Sequence, residues 1–325
     1  MTIGLTYDLK SDYLAEGFTA EEVAEFDTIE TVIGIEEALR QLGYRTERIG
    51  NLKALLPRLI AGERWELVFN ICEGMYGAGR EAQVPAILDA FNIPYVFSNP
   101  LVLSLTLHKG MTKRIVRDLG IPTADFFVVE NEADIEKVKL PFPLFAKPVA
   151  EGTGKGINEF SVIRDKKALS DVCIEKLKSC KQPVIIETYL PGKEYTVGIT
   201  GTGADSGVIG AMEVQFRNNI NSEVYSYCNK ANYEQYINYS LPEPEICKDL
   251  YDVALNSWIG LGCRDGGRVD LRMDENGIPN FIEVNPLAGL HPVDSDLPIL
   301  ARLNGIEYTA LIGMIMESAI KKLKA

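Results

Sequence analysis

Apolar residues recur at two different spacings in the first hundred residues, and these spacings predict alternating strands and helices. Strands are predicted at 3–7, 44–49, 67–71 and 95–97, and helices at 28–42, 51–61 and 80–91. An acidic segment, 8–27, separates the first strand from the first helix. Because helices join successive predicted strands, a parallel sheet with helices on its faces is expected.

The pattern changes after a further predicted helix at 105–120, where Gly120 and Pro122 end the helical spacing. Short strands dominate from there, with helices between them, which predicts an α+β arrangement. Strands are predicted at 124–129, 143–149, 157–163, 183–189, 194–201 and 207–215, and helices at 132–138, 165–178, 243–261 and 307–323. We place domain boundaries near 104 and 190, which divides the chain into 1–104, 105–190 and 191–325.

The segment 266–285 alternates apolar and polar residues on both sides of a Glu275-Asn276-Gly277 turn, which predicts a β-hairpin. A turn centred there places Asp270 opposite Glu283 and Arg268 opposite Asn285. Two carboxylates about 5 Å apart repel each other unless a cation lies between them. Oxygen ligands of this kind suit Mg²⁺ or Mn²⁺ rather than zinc. The alternative is a solvated charged face.

Composition restricts the classes of partner. The chain has 325 residues, 46% of them hydrophobic, and a net charge of −13, which disfavours nucleic acid and anionic membranes as partners. No apolar run reaches eighteen residues, and the first residues lack the features of a signal peptide. The six cysteines follow no disulfide framework, and there are only two histidines. A cytoplasmic protein with reduced thiols and no histidine-ligated zinc is expected.

A glycine-rich loop follows the predicted strand that contains Lys147, in the run Lys147-Pro-Val-Ala-Glu151-Gly-Thr-Gly-Lys155-Gly. Glycines allow backbone N–H groups to converge on an anion, and a lysine within an apolar strand needs an anionic partner. The spacing fits neither a Walker A loop nor a dinucleotide-binding loop. The alternative is a flexible hairpin turn.

Two further segments are compatible with ligand binding. The strand edge from Glu187 to Glu194 offers polar groups to a purine and to ribose hydroxyls, although a plain connection with solvated glutamates is the alternative. Five tyrosines lie between 224 and 239, around Lys230. This segment fits a long loop that covers a ligand, or else an interface with a partner protein.

Taken in order, the motifs resemble the D-alanine–D-alanine ligase family of ATP-grasp enzymes over most of the chain. The resemblance rests on Asn70-Ile-Cys-Glu73-Gly…Arg80-Glu81, His108-Lys109-Gly-Met-Thr-Lys113, the glycine-rich run after Lys147, Glu187-Thr-Tyr-Leu-Pro-Gly-Lys-Glu194 and Arg268-Val-Asp270…Glu283-Val-Asn285. It implies a three-domain ATP-grasp fold, with a parallel α/β domain, a central α+β lid and a C-terminal α+β domain. ATP and Mg²⁺ (or Mn²⁺) are the implied cofactors, and a homodimer is the family expectation.

The resemblance also implies roles for individual residues. Nucleotide contacts are expected from Lys109, Lys147, Lys230, Glu151, Gly152, Thr153, Gly154, Lys155, Gly156, Glu187, Tyr189, Leu190 and Glu194. Lys109, Lys147 and Lys230 would contact the phosphates, and the loop 151–156 would close over them. Glu187 and Leu190 would face adenine, and Glu194 would face the ribose. Asp270, Glu283 and Asn285 would hold two metal ions. Arg268 and the backbone near Gly289 would stabilise an oxyanion.

The chain departs from the family pattern where substrates are expected. In the family, the glutamate of a Ser-x-Glu-Arg-Glu-Val-Ser loop holds the ammonium group of the first substrate. This chain lacks that loop, and Glu25 or Asp27 would take the role of the glutamate. A second family loop is also missing, and Glu73 and Arg80 lie in the segment that replaces it. For Glu73 and Arg80 the alternative is an internal salt bridge that orders the loop. After Asn285 the chain carries Asp294, Ser295 and Asp296.

Asp294 and Asp296 would repel a second carboxylate, although Ser295 can still donate to one, and helix capping is the alternative role of the two aspartates. We therefore hypothesise an acceptor other than plain D-alanine.

The predicted activity is ATP-dependent joining of an amino-acid carboxylate to an amine through an acyl phosphate, which forms a dipeptide or amide. The alternatives are a ligase for a different acid or acceptor amine, a nucleotide-binding module without catalysis, and a scaffold that uses the tyrosine-rich loop. Amino acids or small peptides are the expected substrates.

Overall fold

The computed structural model describes residues 1–216 and 237–323. Its first layer is a parallel three-stranded sheet of order β2-β1-β3, as the alternating pattern predicts. The elements are β1 (Thr2–Tyr7), α1 (Lys10–Ala15), α2 (Ile29–Gln41), β2 (Arg45–Gly50), α3 (Leu52–Ile60), β3 (Leu67–Ile71) and α4 (Gln83–Ala90). The short helix α1 lies inside the acidic segment. The predicted strand at 95–97 forms only a single bridge, between Val68 and Tyr95.

The single helix predicted at 105–120 is wrong, because the structure has two helices there, α5 (Pro100–Leu107) and α6 (Lys109–Asp118). The break occurs at His108, whose Nδ1 accepts a hydrogen bond from the backbone N–H of Met111 at 3.2 Å. A side chain that caps a new helix in this way ends the previous one. The break places Lys109 at the first position of α6, with its backbone N–H bonded to the carbonyl of Val149 at 3.1 Å.

The second layer is an antiparallel sheet of order β4-β7-β5-β6, with helix α7 (Lys166–Cys180) packed against it. Its strands are β4 (Phe126–Val129), β5 (Leu144–Pro148), β6 (Val162–Ile163) and β7 (Val184–Thr188). The strand predicted at 157–163 is mostly wrong, since 159–161 forms a 3-10 turn that Asn158 caps. The helix predicted at 132–138 is also a 3-10 helix.

The third layer is an antiparallel sheet of order β10-β9-β8-β11-β12. It comprises β8 (Glu194–Thr200), β9 (Gly207–Phe216), β10 (Ile237–Ser240), β11 (Gly266–Met273) and β12 (Pro279–Asn285). The predicted hairpin register is confirmed: Arg268 pairs with Asn285 and Asp270 with Glu283, with an irregularity after Asp270. Helix α8 (Pro244–Leu261) packs against this sheet and buries Trp258 completely.

The last two helices, α9 (Asp296–Leu303) and α10 (Tyr308–Lys322), return the chain to the first layer. One core contains Ile3, Val32, Leu290, Leu297 and Ile312, so apolar residues from both ends of the chain are buried together. Each segment between the predicted boundaries contains one sheet, and the boundaries themselves stay a prediction.

In the part of the chain that the structure describes, no single helix is long and apolar enough to cross a membrane. The bent pair α9 and α10, at 110°, passes the same test of length and composition.

Candidate active site

A cleft of about 1040 Å³, open to solvent, lies between the second and third sheets. Its walls come from β5, β7, β8, β11 and β12, from the start of α6 and from the glycine-rich loop. The cleft gathers most of the predicted nucleotide and metal residues: Lys109, Lys147, Glu151, Gly152, Thr153, Gly154, Lys155, Glu187, Tyr189, Leu190, Glu194, Arg268, Asp270 and Glu283. Gly156 belongs to the same loop but packs behind it, near Pro148 and Cys180.

Glu187 lies at the base of the cleft between two buried lysines. Its Oε2 is 3.0 Å from Lys147 Nζ, and its Oε1 contacts Lys113 Nζ. Burial opposes ionisation, but the two ammonium groups outweigh it and lower the pKa of Glu187 to about 2. The carboxylate is therefore paired with two lysines. The adenine-facing role expected for Glu187 stays a prediction.

Lys113 has no role in the sequence-based assignment, although the structure buries it in the cleft. Burial lowers the pKa of Lys113, and the charge of Glu187 opposes that shift. The available signal was its position four residues after Lys109, which puts both lysines on one face of α6.

Lys109 joins the glycine-rich loop to the hairpin. Its Nζ donates to the carbonyl oxygen of Glu151 at 2.6 Å and lies 3.2 Å from Oε2 of Glu283. Burial opposes ionisation of Glu283, but Lys109 and Lys147 lower its pKa to about 2. An anion that enters the cleft beside Lys109 therefore meets cations held in place by acidic side chains.

On the hairpin, Asp270 accepts hydrogen bonds from Thr196 Oγ1 at 2.8 Å and from Asn285 Nδ2 at 3.2 Å, and it contacts the guanidinium of Arg268. Burial raises the pKa of Asp270, while the charge of Arg268 opposes that shift. Protein cations thus relieve the repulsion expected between Asp270 and Glu283.

No group of three or more histidine, cysteine or acidic side chains surrounds a metal-sized point within residues 1–216 and 237–323. The oxygen donors on the hairpin are the carboxylates of Asp270 and Glu283 and the amide oxygen of Asn285. The amide nitrogen of Asn285 donates a hydrogen bond to Asp270. Oxygen donors of this kind fit a hard divalent cation that takes its remaining ligands from phosphate and water.

At the other end of the cleft, Arg272 contacts both Tyr189 and Glu194. Its guanidinium carbon lies 5.3 Å from the Tyr189 ring centroid, and Nη2 donates to the Tyr189 hydroxyl at 3.2 Å. Nη1 lies 3.5 Å from Oε2 of Glu194. Arg272 is a further cleft residue without an assigned role in the sequence analysis. The signal was its position on the same strand face as Arg268 and Asp270.

The glycine-rich loop, residues 151–156, is fastened to the acidic N-terminal segment. The backbone N–H of Gly152 donates to Glu25 Oε1 at 2.6 Å. Within the loop, Lys155 Nζ lies 2.8 Å from Glu151 Oε2. Thr153, Gly154 and Gly156 have positive φ, at 51°, 72° and 70°. Two glycines at such positions allow the tight course that the loop follows.

Arg80 secures this attachment. Its Nη2 donates to both oxygens of Glu25, at 3.0 and 2.8 Å, and its Nη1 donates to the carbonyl of Ala150 at 3.0 Å. The suggested internal salt bridge therefore exists, but its acid is Glu25 rather than Glu73. Glu25, predicted as a substrate residue, uses its carboxylate to hold the loop.

A second cavity, open to solvent and with about 1800 Å³ of empty space when that solvent is included, adjoins the cleft and shares Lys109, Arg268 and Glu283 with it. It gathers the other predicted substrate residues: Glu25, Asp27, Glu73, Asp294 and Ser295, with Asn285 and Gly289. Arg80 lies behind Glu25. The wall opposite the hairpin is acidic, and burial raises the pKa of Asp27 and of Glu81 to about 7.

Lys230 and most of the tyrosine-rich segment lie outside the described residues. Tyr239, on β10, is described, and its hydroxyl donates to Asp296 Oδ1 at 3.0 Å.

A family model described as "D-ala D-ala ligase C-terminus" matches residues 115–317, which is more than half of the chain. The chain belongs to this ligase family. The D-alanine–D-alanine ligase of Marinomonas sp. (strain MWYL1) is 29% identical over 298 residues, with 89% of each protein covered. The corresponding ligase of Aquifex aeolicus (strain VF5) is 28% identical over 290 residues, covering 89% of this chain and 94% of that protein.

Solved structures of the ligase family share the fold. The D-alanine–D-alanine ligase of Bacillus anthracis, crystallised with ATP, superposes with a TM-score of 0.75 at 24% identity, covering 100% of this chain and 99% of that one. The VanG D-Ala:D-Ser ligase of Enterococcus faecalis superposes with a TM-score of 0.73 at 18% identity, covering 98% and 99%.

The predicted ATP-grasp fold and ligase family are thereby confirmed. As a member of this family the chain is an ATP-dependent, ADP-forming carboxylate–amine ligase that acts on small molecules, as predicted.

Proposed function

We propose that this ligase binds Mg·ATP in the cleft and an amino acid and a small amine in the adjoining cavity. The observation that carries the proposal is the junction of the two spaces, where Lys109, Arg268 and Glu283 line both. Reacting groups that enter from opposite sides would meet at these three side chains. Binding that holds two reactants in contact supplies much of the rate enhancement of such enzymes.

In the first step, an oxygen of the substrate carboxylate attacks the γ-phosphorus of ATP, and the bond to ADP breaks. Both partners are anions, so their approach must be screened. Lys109 and Lys147 would supply the positive charge for this, and each well-placed donor in such a site contributes about 3 kcal/mol. Asp270, Glu283 and Asn285 would hold Mg²⁺ or Mn²⁺, which supplies further charge neutralisation between the two reactants.

In the second step, the amine attacks the acyl carbon, the bond to phosphate oxygen breaks, and the amine loses a proton. Negative charge develops on the carbonyl oxygen. Arg268 and the backbone N–H near Gly289 would donate to this oxygen and stabilise it. Arg268 is held by carboxylates on both sides, so it needs little rearrangement during the reaction.

The glycine-rich loop would cover the phosphates and exclude water, because free water would hydrolyse the acyl phosphate. Its attachment to Glu25 and Arg80 supports this role. The adenine and ribose would lie at the end of the cleft that contains Tyr189, Leu190 and Glu194. Lys230, which lies outside the described residues, would contact the phosphates as the family resemblance implies.

The proposal is tested by assaying pairs of amino acids, one as the acid and one as the acceptor amine, for ADP release and condensation products. ADP release that requires Mg²⁺, an amino acid and an amine together, with a product whose mass equals acid plus amine minus water, is the expected result. The absence of any such condensation product, with ATP bound and the protein folded, would overturn it.

A further inference from the structure

The guanidinium of Arg268 lies between two carboxylates. Asp270 contacts Nη1, and Oδ2 of Asp296 lies 3.6 Å from Nη2. Asp296 is only 8% exposed, and the Tyr239 hydroxyl donates to its other oxygen at 3.0 Å. Asp296 lines both the cleft and the adjoining cavity, so its carboxylate borders the place where acid and acceptor would meet.

Helix capping does not account for this arrangement. Asp296 is the first residue of α9, and an acidic residue in a first turn is favourable there. Its carboxylate is nevertheless paired with Arg268 and Tyr239, from two other elements. The preceding residue, Ser295, does not cap α9 with its side chain either, because its Oγ accepts the backbone N–H of His291 at 2.9 Å.

An acceptor that carries a carboxylate next to its amine would need a cation at this junction. The two described cations that line both spaces at the hairpin already have carboxylate partners: Lys109 pairs with Glu283, and Arg268 with Asp270 and Asp296. A further carboxylate would compete with Asp296 for the same guanidinium, and like charges brought together this way disfavour binding. Ser295, whose hydroxyl proton is not used in its bond with His291, can donate to a carboxylate or to a neutral group alike, so it does not remove the repulsion from Asp296.

We infer that Asp296 determines acceptor specificity, and that the preferred acceptor is an amine with no carboxylate on the adjacent carbon, such as an amino-acid amide or an amino alcohol. This inference rests on the proposed function and narrows the acceptor class of the same site. Acceptor specificity then comes from repulsion between Asp296 and a carboxylate as much as from attraction of the preferred acceptor.

The first experiment compares acceptors that differ only in the group beside the amine: alanine, alaninamide and alaninol, each in both enantiomers. The acid is whichever amino acid the assay of pairs identifies, and kcat/KM for the acceptor is measured by phosphate release with product masses. The expected result is at least a tenfold preference of the native enzyme for a neutral acceptor over alanine of the same handedness. Alanine used as well as or better than both neutral acceptors would overturn the inference and leave the ligase activity intact.

The second experiment measures the same ratio in Asp296→Asn, with Glu245→Gln as the control. Glu245 is exposed in the first turn of α8, so this control also removes one negative charge near the start of a helix. Asp296→Asn is expected to move the ratio toward alanine by at least tenfold, and Glu245→Gln to leave it unchanged. A ratio unmoved in Asp296→Asn would overturn the assignment.

If Asp296→Asn does not fold, the acceptor comparison in the native enzyme still decides the question. Condensation absent with all six acceptors and every acid would refute the proposed function itself, which is a different outcome from a preference for alanine.

Discussion

Arg80 and Glu25 form an ion pair that joins the N-terminal layer to the glycine-rich loop, and Nη2 of Arg80 donates to both oxygens of Glu25. Both side chains are about nine-tenths buried, at 10% and 11% exposed. Glu25 also accepts the Gly152 N–H, and Arg80 also donates to the Ala150 carbonyl. The position of the loop over the cleft therefore depends on Arg80 and Glu25, whose contacts with it span 70 and 127 positions of the chain.

Replacing Arg80 with Met should loosen the loop, because the buried Glu25 loses its nearest cation and keeps only the Gly152 N–H and Lys155 Nζ, which lies 3.9 Å away. We expect a loss of about 3 kcal/mol in the free energy of unfolding and a fall of about tenfold or more in kcat/KM for ATP. Urea unfolding and a coupled ADP assay measure the two effects. Lys53→Met is the control, since it breaks an ion pair with Glu16 in which both side chains are largely exposed, and such pairs contribute less than about 1 kcal/mol. Equal effects of the two substitutions would contradict this account.

Gly152→Ala should weaken the same attachment without changing any charge. A Cβ at Gly152 would lie 2.5 Å from Oε1 of Glu25, which Arg80 prevents from moving freely. We expect KM for ATP to rise by about tenfold, because overpacking displaces the loop. In Gly207→Ala the added methyl meets nothing within 4 Å, so this variant should behave like the native enzyme. A native KM in Gly152→Ala would show that the loop does not need this contact.

Glu283→Gln should abolish turnover and weaken Mg·ATP binding while the fold survives. The substitution removes the partner of Lys109 and one of the two carboxylates proposed to hold the metal. Mg²⁺-dependent nucleotide binding by calorimetry and ADP release measure the effect. Glu275→Gln makes the same chemical change in the exposed turn of the same hairpin and should have no effect. Full activity in Glu283→Gln would refute the assigned role.

The pKa of Glu187, lowered from 4.5 to about 2, predicts a specific pH dependence of stability. A carboxyl group with a lowered pKa stabilises the fold above its unfolded pKa, and this contribution is lost as pH falls through the folded value. We expect roughly 3 kcal/mol from this group above pH 4.5, lost progressively toward pH 2. Urea unfolding at several pH values measures it.

Glu187→Gln should be less stable at pH 7, because Lys113 and Lys147 lose their shared partner. Its stability should also fall less steeply between pH 4.5 and 2.5, by up to about 1.4 kcal/mol per pH unit. A slope equal to that of the native protein would mean that Glu187 is not ionised in the fold at low pH.

Much of this protein could be predicted from its sequence because the relevant signals are local. Apolar spacing predicts the parallel first layer, and the period-two alternation around Asn276-Gly277 predicts the hairpin and the pairing of Asp270 with Glu283. Errors arose where a side chain changed the local backbone. His108 caps a new helix inside a continuous helical pattern, and Asn158 caps a 3-10 turn inside an apparent strand.

Spacing along the chain cannot reveal which charges become neighbours in space. The sequence makes Glu25 a candidate substrate residue, yet the first layer packs against the loop so that Glu25 pairs with Arg80 and accepts the Gly152 N–H. Asp296 has the appearance of a capping residue, yet the fold places it against Arg268. The sequence alone determined the layers, the hairpin register and most of the residues that line the cleft. Tertiary packing alone decided the partners of the buried charges, because their pairing depends on distance in space and on the loss of solvent.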